Sequence, residues 1–179
     1  MYIIGFTGKM GSGKTTAARM LSERSGFPIL SFATPIKEVA KSCFDWDGQK
    51  DSRGRRLLQV IGTEAGREYC SDIWIQKLWE KILELKATDP AIKAVIIDDV
   101  RFNNEALFVN RYGYVFEIVR PVKVSLWEKL RDFFNRTSSH SSEAGLDKSY
   151  IEWTVDNSGS IDNLRDKVTA IGLSYGLHS

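Results

Sequence analysis

The sequence predicts an α/β fold in three layers, with helices on both faces of a five-stranded parallel sheet. Two patterns indicate this fold. Short, nearly continuous apolar runs alternate with helical stretches, and strands buried on both faces of a parallel sheet have this composition. A glycine-rich loop also connects the first apolar run to the first helical stretch. The 179 residues show no internal repeat and are most simply one domain.

The predicted strands are apolar runs bounded by polar or glycine-containing segments. In chain order they are Tyr2–Thr7, PILSF from residue 28, KAVIIDDV from 93, YVFEIV from 114 and EWTV from 152. Each of the last three runs is followed by a helical stretch or by a polar segment. This order indicates strand–helix–strand units, whose strands lie parallel.

The predicted helices have apolar residues at helical spacing. The first ends near Gly26, and the second has Thr34 as its N-cap and Pro35 as its first residue. Residues 45–56 are polar and predict a mobile connection. The remaining helices are expected around 57–69 and 72–87, in NEALFVNRYG up to Gly113, in SLWEKLRDFFNR and in IDNLRDKVTAIGL. The buried face of the second helix is predicted to be Ile36, Val39, Ala40, Cys43 and Phe44.

Residues 8–15, GKMGSGKT, match the complete phosphate-loop motif G-x-x-x-x-G-K-T. Its glycines let backbone N–H groups surround an anion at the positive end of the next helix. Lys14 is expected to reach the β- and γ-phosphates of a nucleotide, and the Thr15 hydroxyl to ligate Mg²⁺. A glycine-rich turn without a ligand is disfavoured by the strand before the loop and the helix after it. The motif therefore predicts a nucleotide-binding loop of the P-loop NTPase fold.

Phosphate-bound magnesium also needs a carboxylate from a neighbouring strand. Asp98 and Asp99 end an apolar strand, at the sheet edge where open α/β sheets bind their ligands. Adjacent strand residues face opposite ways, so only one of the two points at the metal. The alternative is that both are ordinary acids at a strand end.

A kinase needs a second phosphate site, and arginine suits it because the guanidinium group matches phosphate in a bidentate manner. Arg101 and Arg120 are the stronger candidates, since each follows a strand that ends near the phosphate loop. Taken singly, each arginine is also consistent with a solvated surface position. The other candidates are Arg67, Arg131 and Arg136.

Several strings then occur in an order that resembles the deoxynucleoside monophosphate kinases of tailed bacteriophages. They are SFATPIKE, LLQVIGTEAGR, DIWI, DDVRFNNEA, HSSEAGL and VDNSGSIDNL. The resemblance runs from Ile3 to about Val168. It implies a five-stranded P-loop kinase fold, transfer of phosphate from ATP to a dNMP with Mg²⁺, and a homodimer as one assembly. It places the acceptor-side helical region at about 34–88. The polar and aromatic segment 121–146, between the fourth and fifth strands, is a candidate insertion that we expect to close as a lid on a core of residues 1–120 and 147–179.

The same resemblance assigns roles to individual residues. It places the loop residues on ATP, namely Gly11, Ser12, Gly13, Lys14, Thr15 and Thr16. It favours Asp99 over Asp98 as the metal-side acid, because the family pattern reads D-V-R-F, and it places Arg101 on the transferring phosphates. Phe32 is expected either to stack on the acceptor base or to pack in the core, and Lys37 to meet the monophosphate. The remaining implied acceptor-side residues are Gln59, Glu64, Arg67 and Glu143.

Three further features of the resemblance qualify these roles. His140 belongs to an H-x-S-E element, and we expect it to be structural because phosphoryl transfer depends mainly on positioning and charge. Asn157 is expected near the adenine, through backbone contacts. Thr15 stands where many relatives carry Asp, and Ala65 replaces a large aromatic residue, which leaves base selectivity open.

Composition limits the other functional classes. A net charge of +2 is too small to predict binding to duplex nucleic acid. No apolar stretch reaches the ~20 residues of a membrane span, and the N-terminus lacks a signal-peptide pattern, so we expect a cytoplasmic protein, in the host if phage-encoded. The alternatives are another small-molecule P-loop kinase, such as a dephospho-coenzyme A kinase, or a nucleotide-dependent regulator. An N-K-x-D string that would favour a GTP switch is missing from the sequence.

Overall fold

The computed structural model describes residues 1–121 and 146–176, and it confirms the five-stranded parallel sheet. The strands are β1 (Tyr2–Thr7), β2 (Ile29–Leu30), β3 (Ala94–Ile97), β4 (Gly113–Val119) and β5 (Trp153–Asp156). Their spatial order is β2-β3-β1-β4-β5, so β1 is the central strand. Its residues pair with β3 on one side and with β4 on the other.

The helices of the described residues cover both faces of the sheet. They are α1 (Lys14–Ser25), α2 (Ala33–Phe44), α3 (Ser52–Gln59), α4 (Ile73–Thr88), α5 (Asn103–Asn110) and α6 (Ile161–Ser174). A π-helical segment, Val60–Arg67, continues α3, and a short 3₁₀ helix spans Lys148–Tyr150. The helix expected in SLWEKLRDFFNR and the lid expected at 121–146 lie almost wholly outside the described residues.

The two faces of the sheet form separate apolar clusters, which explains the continuous apolar strands. Ile4 and Phe6 of β1 face α1 and α6, whereas Ile3 faces the side that carries α4 and α5. All four residues of β3 are buried. Each fully buried aliphatic or aromatic side chain of this kind contributes about 1.5–3 kcal/mol of transfer free energy. The core therefore fixes the sheet on which the site is built.

A third cluster lies away from the sheet and joins α2, the π-helical segment and α4. Its buried members are Ala40, Ile61 and Trp74. The Trp74 indole N–H donates to the carbonyl of Gly62 over 2.8 Å, and this satisfies a carbonyl inside the π-helical segment. π-Helical turns are rare in proteins, and those that occur often lie at functional sites.

Several predicted helix boundaries are wrong. The helix α2 begins at Ala33 with Phe32, not Thr34, as its N-cap, because a distant carboxylate supplies the cap contacts. The predicted connection 45–56 contains the start of α3, where the Asp51 side chain accepts a hydrogen bond from Gly54 N. Gly113 begins β4 instead of closing α5.

The predicted buried face of α2 is also partly wrong. Ala40 is buried, and Ile36 and Val39 pack against the third cluster. Cys43 and Phe44, in the last turn, are exposed. The helix extends past the surface that covers it, so its spacing persists where its burial does not.

The parallel sheet brings four chain segments to one edge. The phosphate loop follows β1, Asp98–Arg101 follows β3, Arg120 follows β4 and Asn157 follows β5. The carboxyl ends of parallel strands are where open α/β sheets bind their ligands. Among the described helices, none combines the length and the apolar character that crossing a membrane requires.

Candidate active site

The phosphate loop has the backbone geometry of an anion cradle. Gly8 and Gly13 have φ angles of +133° and +107°, which residues with a side chain rarely adopt. A Cβ atom on Gly8 would lie 2.2 Å from the carbonyl oxygen of Ile118, and one on Gly13 would lie 2.5 Å from Nδ2 of Asn157. The two glycines therefore permit both the backbone conformation and the close approach of the neighbouring strands.

Two side chains of the loop are arranged around this cradle. Lys14 Nζ donates to the carbonyl oxygens of Gly8 and Lys9 over 2.7 and 2.9 Å. Burial lowers the pKa of Lys14, and the nearby Arg101 charge lowers it further. The buried hydroxyl of Ser12 has no hydrogen-bond partner within the described residues. An unpaired buried hydroxyl beside a cradle of backbone amides fits a bound phosphate.

Asn157 holds the loop from the end of β5. Its Nδ2 donates to the carbonyl oxygen of Ser12 over 2.8 Å, and only 7% of the residue is exposed. The side chain is thus committed to the loop backbone. Contact with adenine through the Asn157 backbone remains a prediction.

The two adjacent acids after β3 contact different segments, and the contact with the phosphate loop is made by Asp98 rather than by the expected Asp99. Asp98 Oδ2 accepts the Thr15 hydroxyl over 2.9 Å. Asp99 instead accepts hydrogen bonds from the Ser31 hydroxyl, from Phe32 N and from Ala33 N, over 2.6, 2.8 and 2.9 Å. Both oxygens of Asp99 are therefore engaged at the start of α2, and Asp98 is the acid beside the loop.

Burial and neighbouring charged groups both affect the ionisation of Asp98. Burial raises its pKa above 3.8, and the adjacent Asp99 raises it further. The Thr15 hydrogen bond and the Lys37 charge oppose this shift. Lys37, predicted to meet the acceptor monophosphate, thus lies near enough to Asp98 to affect its ionisation.

Phe32 belongs to the core and does not present its ring to a base. The residue is 2% exposed and packs in the cluster with Ile3, Leu78 and Ile82. Of the two expected roles, core packing is the one observed. Its backbone N–H, which binds Asp99, is what connects it to the site.

Arg67 is held in a buried ion pair that the sequence analysis did not include. Its Nη2 donates to Oε1 of Glu105, and the side chains are 12% and 1% exposed. The guanidinium carbon lies 3.9 Å from the centroid of the Phe102 ring. Nη1 of Arg67 is buried without a hydrogen-bond partner in the described residues. The sequence signals for Glu105 were its place in the string DDVRFNNEA and its position at the start of the apolar stretch EALFV.

Glu64 and Gln59 form a second polar group on α3 and the π-helical segment. The Arg56 guanidinium binds both oxygens of Glu64, and Gln59 Nε2 lies 3.5 Å from Glu64 Oε1. Arg56 was not predicted. Its partner lies eight residues later in the chain, across the change from α-helix to π-helix, so helical spacing does not reveal the pair.

The remaining predicted residues are less constrained. The Arg101 side chain is exposed, while its backbone N donates to Glu105 Oε2 over 2.8 Å. Arg120 is exposed directly after β4, and Thr16 is partly buried on α1. Arg131, Arg136, His140 and Glu143 lie outside the described residues.

Similarity to known proteins identifies the family of this chain. The model of the family described as deoxynucleotide monophosphate kinase matches residues 46–168. The chain belongs to this family. The match begins after the phosphate loop, so the loop motif and the family match are separate observations. Membership makes this kinase a phosphotransferase, as the resemblance implied.

One relative and two solved structures agree. The chain is 35% identical over 148 residues to the "Putative deoxynucleotide monophosphate kinase" of Acanthamoeba polyphaga mimivirus, covering 68% of this kinase and 75% of the relative. TT1252 from Thermus thermophilus has a TM-score of 0.56 at 19% identity, covering 97% of both chains. The dephospho-CoA kinase of Campylobacter jejuni has a TM-score of 0.55 at 19% identity, covering 97% of this kinase and 98% of that chain. At such identity the two structures establish the fold alone.

Proposed function

We propose that this kinase transfers the γ-phosphoryl group of ATP to a deoxynucleoside monophosphate, giving ADP and a dNDP. The observation that carries the proposal is that the two adjacent acids after β3 contact different segments of the chain. Asp98 contacts Thr15 of the phosphate loop, and Asp99 holds the first residues of α2. The short segment after β3 thus connects the phosphate loop to the start of α2, on the side proposed for the acceptor.

The phosphate loop and the side chains around it suit ATP as the phosphate donor. The backbone N–H groups of residues 11–16 and the Ser12 hydroxyl would bind the phosphates of ATP, and the Lys14 ammonium would leave the carbonyls of Gly8 and Lys9 to reach them. Thr15 and Asp98 would hold Mg²⁺ or its water shell. When bound there, magnesium supplies positive charge that offsets the charge of the phosphates.

Three cationic side chains suit an acceptor that carries a phosphate group. Arg67 has a buried guanidinium nitrogen without a partner in the described chain, and Arg101 and Lys37 carry positive charge near Lys14 and Asp98. Arginine binds phosphate through paired N–H groups, so Arg67 suits the phosphate of the acceptor. Arg101 suits the transferring group, because its charge already acts on Lys14.

Positioning and charge explain the reaction without a general base. In the transfer, an oxygen of the acceptor phosphate forms a bond to the γ-phosphorus while the bond from that phosphorus to the β–γ bridging oxygen breaks. The acceptor phosphate is ionised near neutral pH, so no proton has to be removed first. Lys14 and Arg101 stabilise the charge that spreads over the transferring group.

A product assay tests this function. The purified full-length chain is incubated with ATP, Mg²⁺ and each of dAMP, dGMP, dCMP and dTMP, with the four NMPs and dephospho-coenzyme A as alternative acceptors. We expect at least one dNMP to be converted to its dNDP, with one ADP released per dNDP. Turnover with dephospho-coenzyme A alone, or nucleotide hydrolysis that no acceptor stimulates, would contradict the proposal.

A further inference from the structure

We propose that Glu105 is a positioning residue that holds Arg67 and the Arg101 backbone in one arrangement for the acceptor phosphate. The inference rests on the proposed function and adds a residue to it. Within residues 1–121 and 146–176, Glu105 is the only charged residue that is buried, at 1% exposure. Its two carboxylate oxygens bind two separate segments of the chain.

One oxygen of Glu105 fixes the chain that follows β3. Oε2 accepts hydrogen bonds from Arg101 N and Phe102 N over 2.8 and 3.1 Å. These bonds hold the backbone that carries the exposed Arg101 side chain. Asp98, three residues earlier, is held beside the phosphate loop by its own contact with Thr15.

The other oxygen fixes Arg67, which comes from a different element. Oε1 accepts a hydrogen bond from Arg67 Nη2, and Arg67 lies 38 residues earlier in the chain, at the end of the π-helical segment. The guanidinium plane is also held against the Phe102 ring at 3.9 Å. With Nη2 engaged, Nη1 is left without a partner in the described residues. Glu105 thus orients the guanidinium group through one nitrogen, while the other nitrogen keeps its capacity to donate a hydrogen bond.

Helix capping alone does not account for this acid. Glu105 occupies the third position of α5, where a side chain that accepts the N-cap N–H stabilises a helix start. Glutamate and glutamine serve that purpose equally. Glutamine has only one acceptor oxygen, however, and its amide N–H groups would face the Arg67 guanidinium. Only the carboxylate serves both segments, so the Glu105→Gln substitution separates capping from positioning.

The test is steady-state kinetics of Glu105→Gln with the dNMP that the wild type uses best. We expect the KM for the dNMP to rise roughly tenfold or more, since misplacing a binding group by about 1 Å has effects of this size or larger. The KM for ATP should stay within about twofold, because the phosphate loop does not contact Glu105. Glu105→Ala should raise the dNMP KM as well and should also lower the melting temperature.

Matched measurements separate the outcomes. Glu80→Gln makes the same substitution in the exposed Lys77–Glu80 pair and should leave all constants unchanged. A purely structural role for Glu105 would lower the amount of active enzyme, and thus the apparent kcat, without changing either KM. That result, or an unchanged dNMP KM in Glu105→Gln, overturns the inference while the function stands. A wild type that phosphorylates no dNMP overturns the function and the inference together.

Discussion

The two sides of the proposed active site, one for the nucleotide and one for the acceptor, are built from different parts of the polypeptide. On the nucleotide side, the anion cradle consists of main-chain groups in one continuous loop, with left-handed glycines and a lysine that binds the loop's own carbonyls. On the acceptor side, the charged groups are side chains from separate elements. Arg67 and Glu105 are 38 residues apart, and Asp99 and Ser31 are 68 apart.

This difference determines how each side responds to change. A main-chain cradle keeps its shape under most side-chain substitutions, so it loses activity mainly when a charge or a glycine is altered. A site assembled from side-chain pairs loses its geometry when either partner is removed, because a buried charge is then left unpaired. Substitutions on the two sides are therefore expected to differ. Their effects range from a large loss of kcat to small changes in the free energy of unfolding.

Lys14→Ala should have the largest effect on turnover. Removing the ammonium takes away charge stabilisation of the transferring phosphoryl group, and we expect kcat to fall on the order of 10³-fold. The fold should persist, because the loop retains its glycines and its Asn157 contact. ADP release coupled to dNMP addition measures the loss, with the exposed Lys81→Ala as the control. Near-normal turnover in Lys14→Ala would refute the nucleotide-side assignment.

The adjacent acids should give opposite phenotypes when each is replaced by asparagine. Asp98→Asn should lower kcat about 100-fold with little change in the dNMP KM, because it removes charge beside Thr15. Asp99→Asn should lose about 1–3 kcal/mol of unfolding free energy, because an amide replaces one of its two accepting oxygens, and should raise the dNMP KM.

Urea unfolding and kinetics of both variants measure these effects. The reversed pattern, in which Asp99→Asn is stable but inactive and Asp98→Asn retains turnover, would restore Asp99 as the metal-side acid that the family resemblance implies.

Asn157→Ala should have a smaller effect, limited to the nucleotide side. The buried carbonyl of Ser12 loses its donor, at a cost of about 1–3 kcal/mol, and the KM for ATP should rise while the dNMP KM does not. Asn110→Ala removes a similar amide-to-carbonyl bond at an exposed site and is the control. An equal rise in both KM values would mean that the two sides are less separate than their contacts indicate.

The smallest expected effect is a pH-dependent gain in stability. The pKa of Asp98 is raised above 3.8 in the folded protein, mainly by burial, so the folded state binds the proton more tightly than the unfolded state. The contribution of Asp98 to stability therefore falls as the pH rises from about 3.8 through the folded pKa. Asp98→Asn removes this penalty.

Melting curves between pH 4 and 7.5, recorded with EDTA, measure the difference. The melting temperature of Asp98→Asn should exceed that of the wild type at pH 7, and the gap should narrow toward pH 4. A gap that widens as the pH falls would mean that the carboxylate stabilises the fold.

Much of the fold was predictable because its determinants are local. The run AVII is buried throughout, and Val115, Phe116 and Ile118 are buried in β4, so these strands follow from their apolar residues. The motif GKMGSGKT carries its own backbone preferences, so the phosphate loop also follows from neighbouring residues. Predictions failed where a distant group decided. Thr34 did not cap α2 because Asp99 reaches the first amides of the helix. Cys43 and Phe44 are exposed because no element in the described part of the chain covers that turn.

The sequence by itself determined the order of strands and helices, the phosphate loop and the presence of two acids after β3. Only the tertiary structure decided that Asp98 faces Thr15, that Phe32 packs in the core and that Glu105 pairs with Arg67. The physical reason is range. Apolar periodicity and glycine conformation act over a few residues, whereas a buried carboxylate is stable only beside partners that the complete fold brings to it.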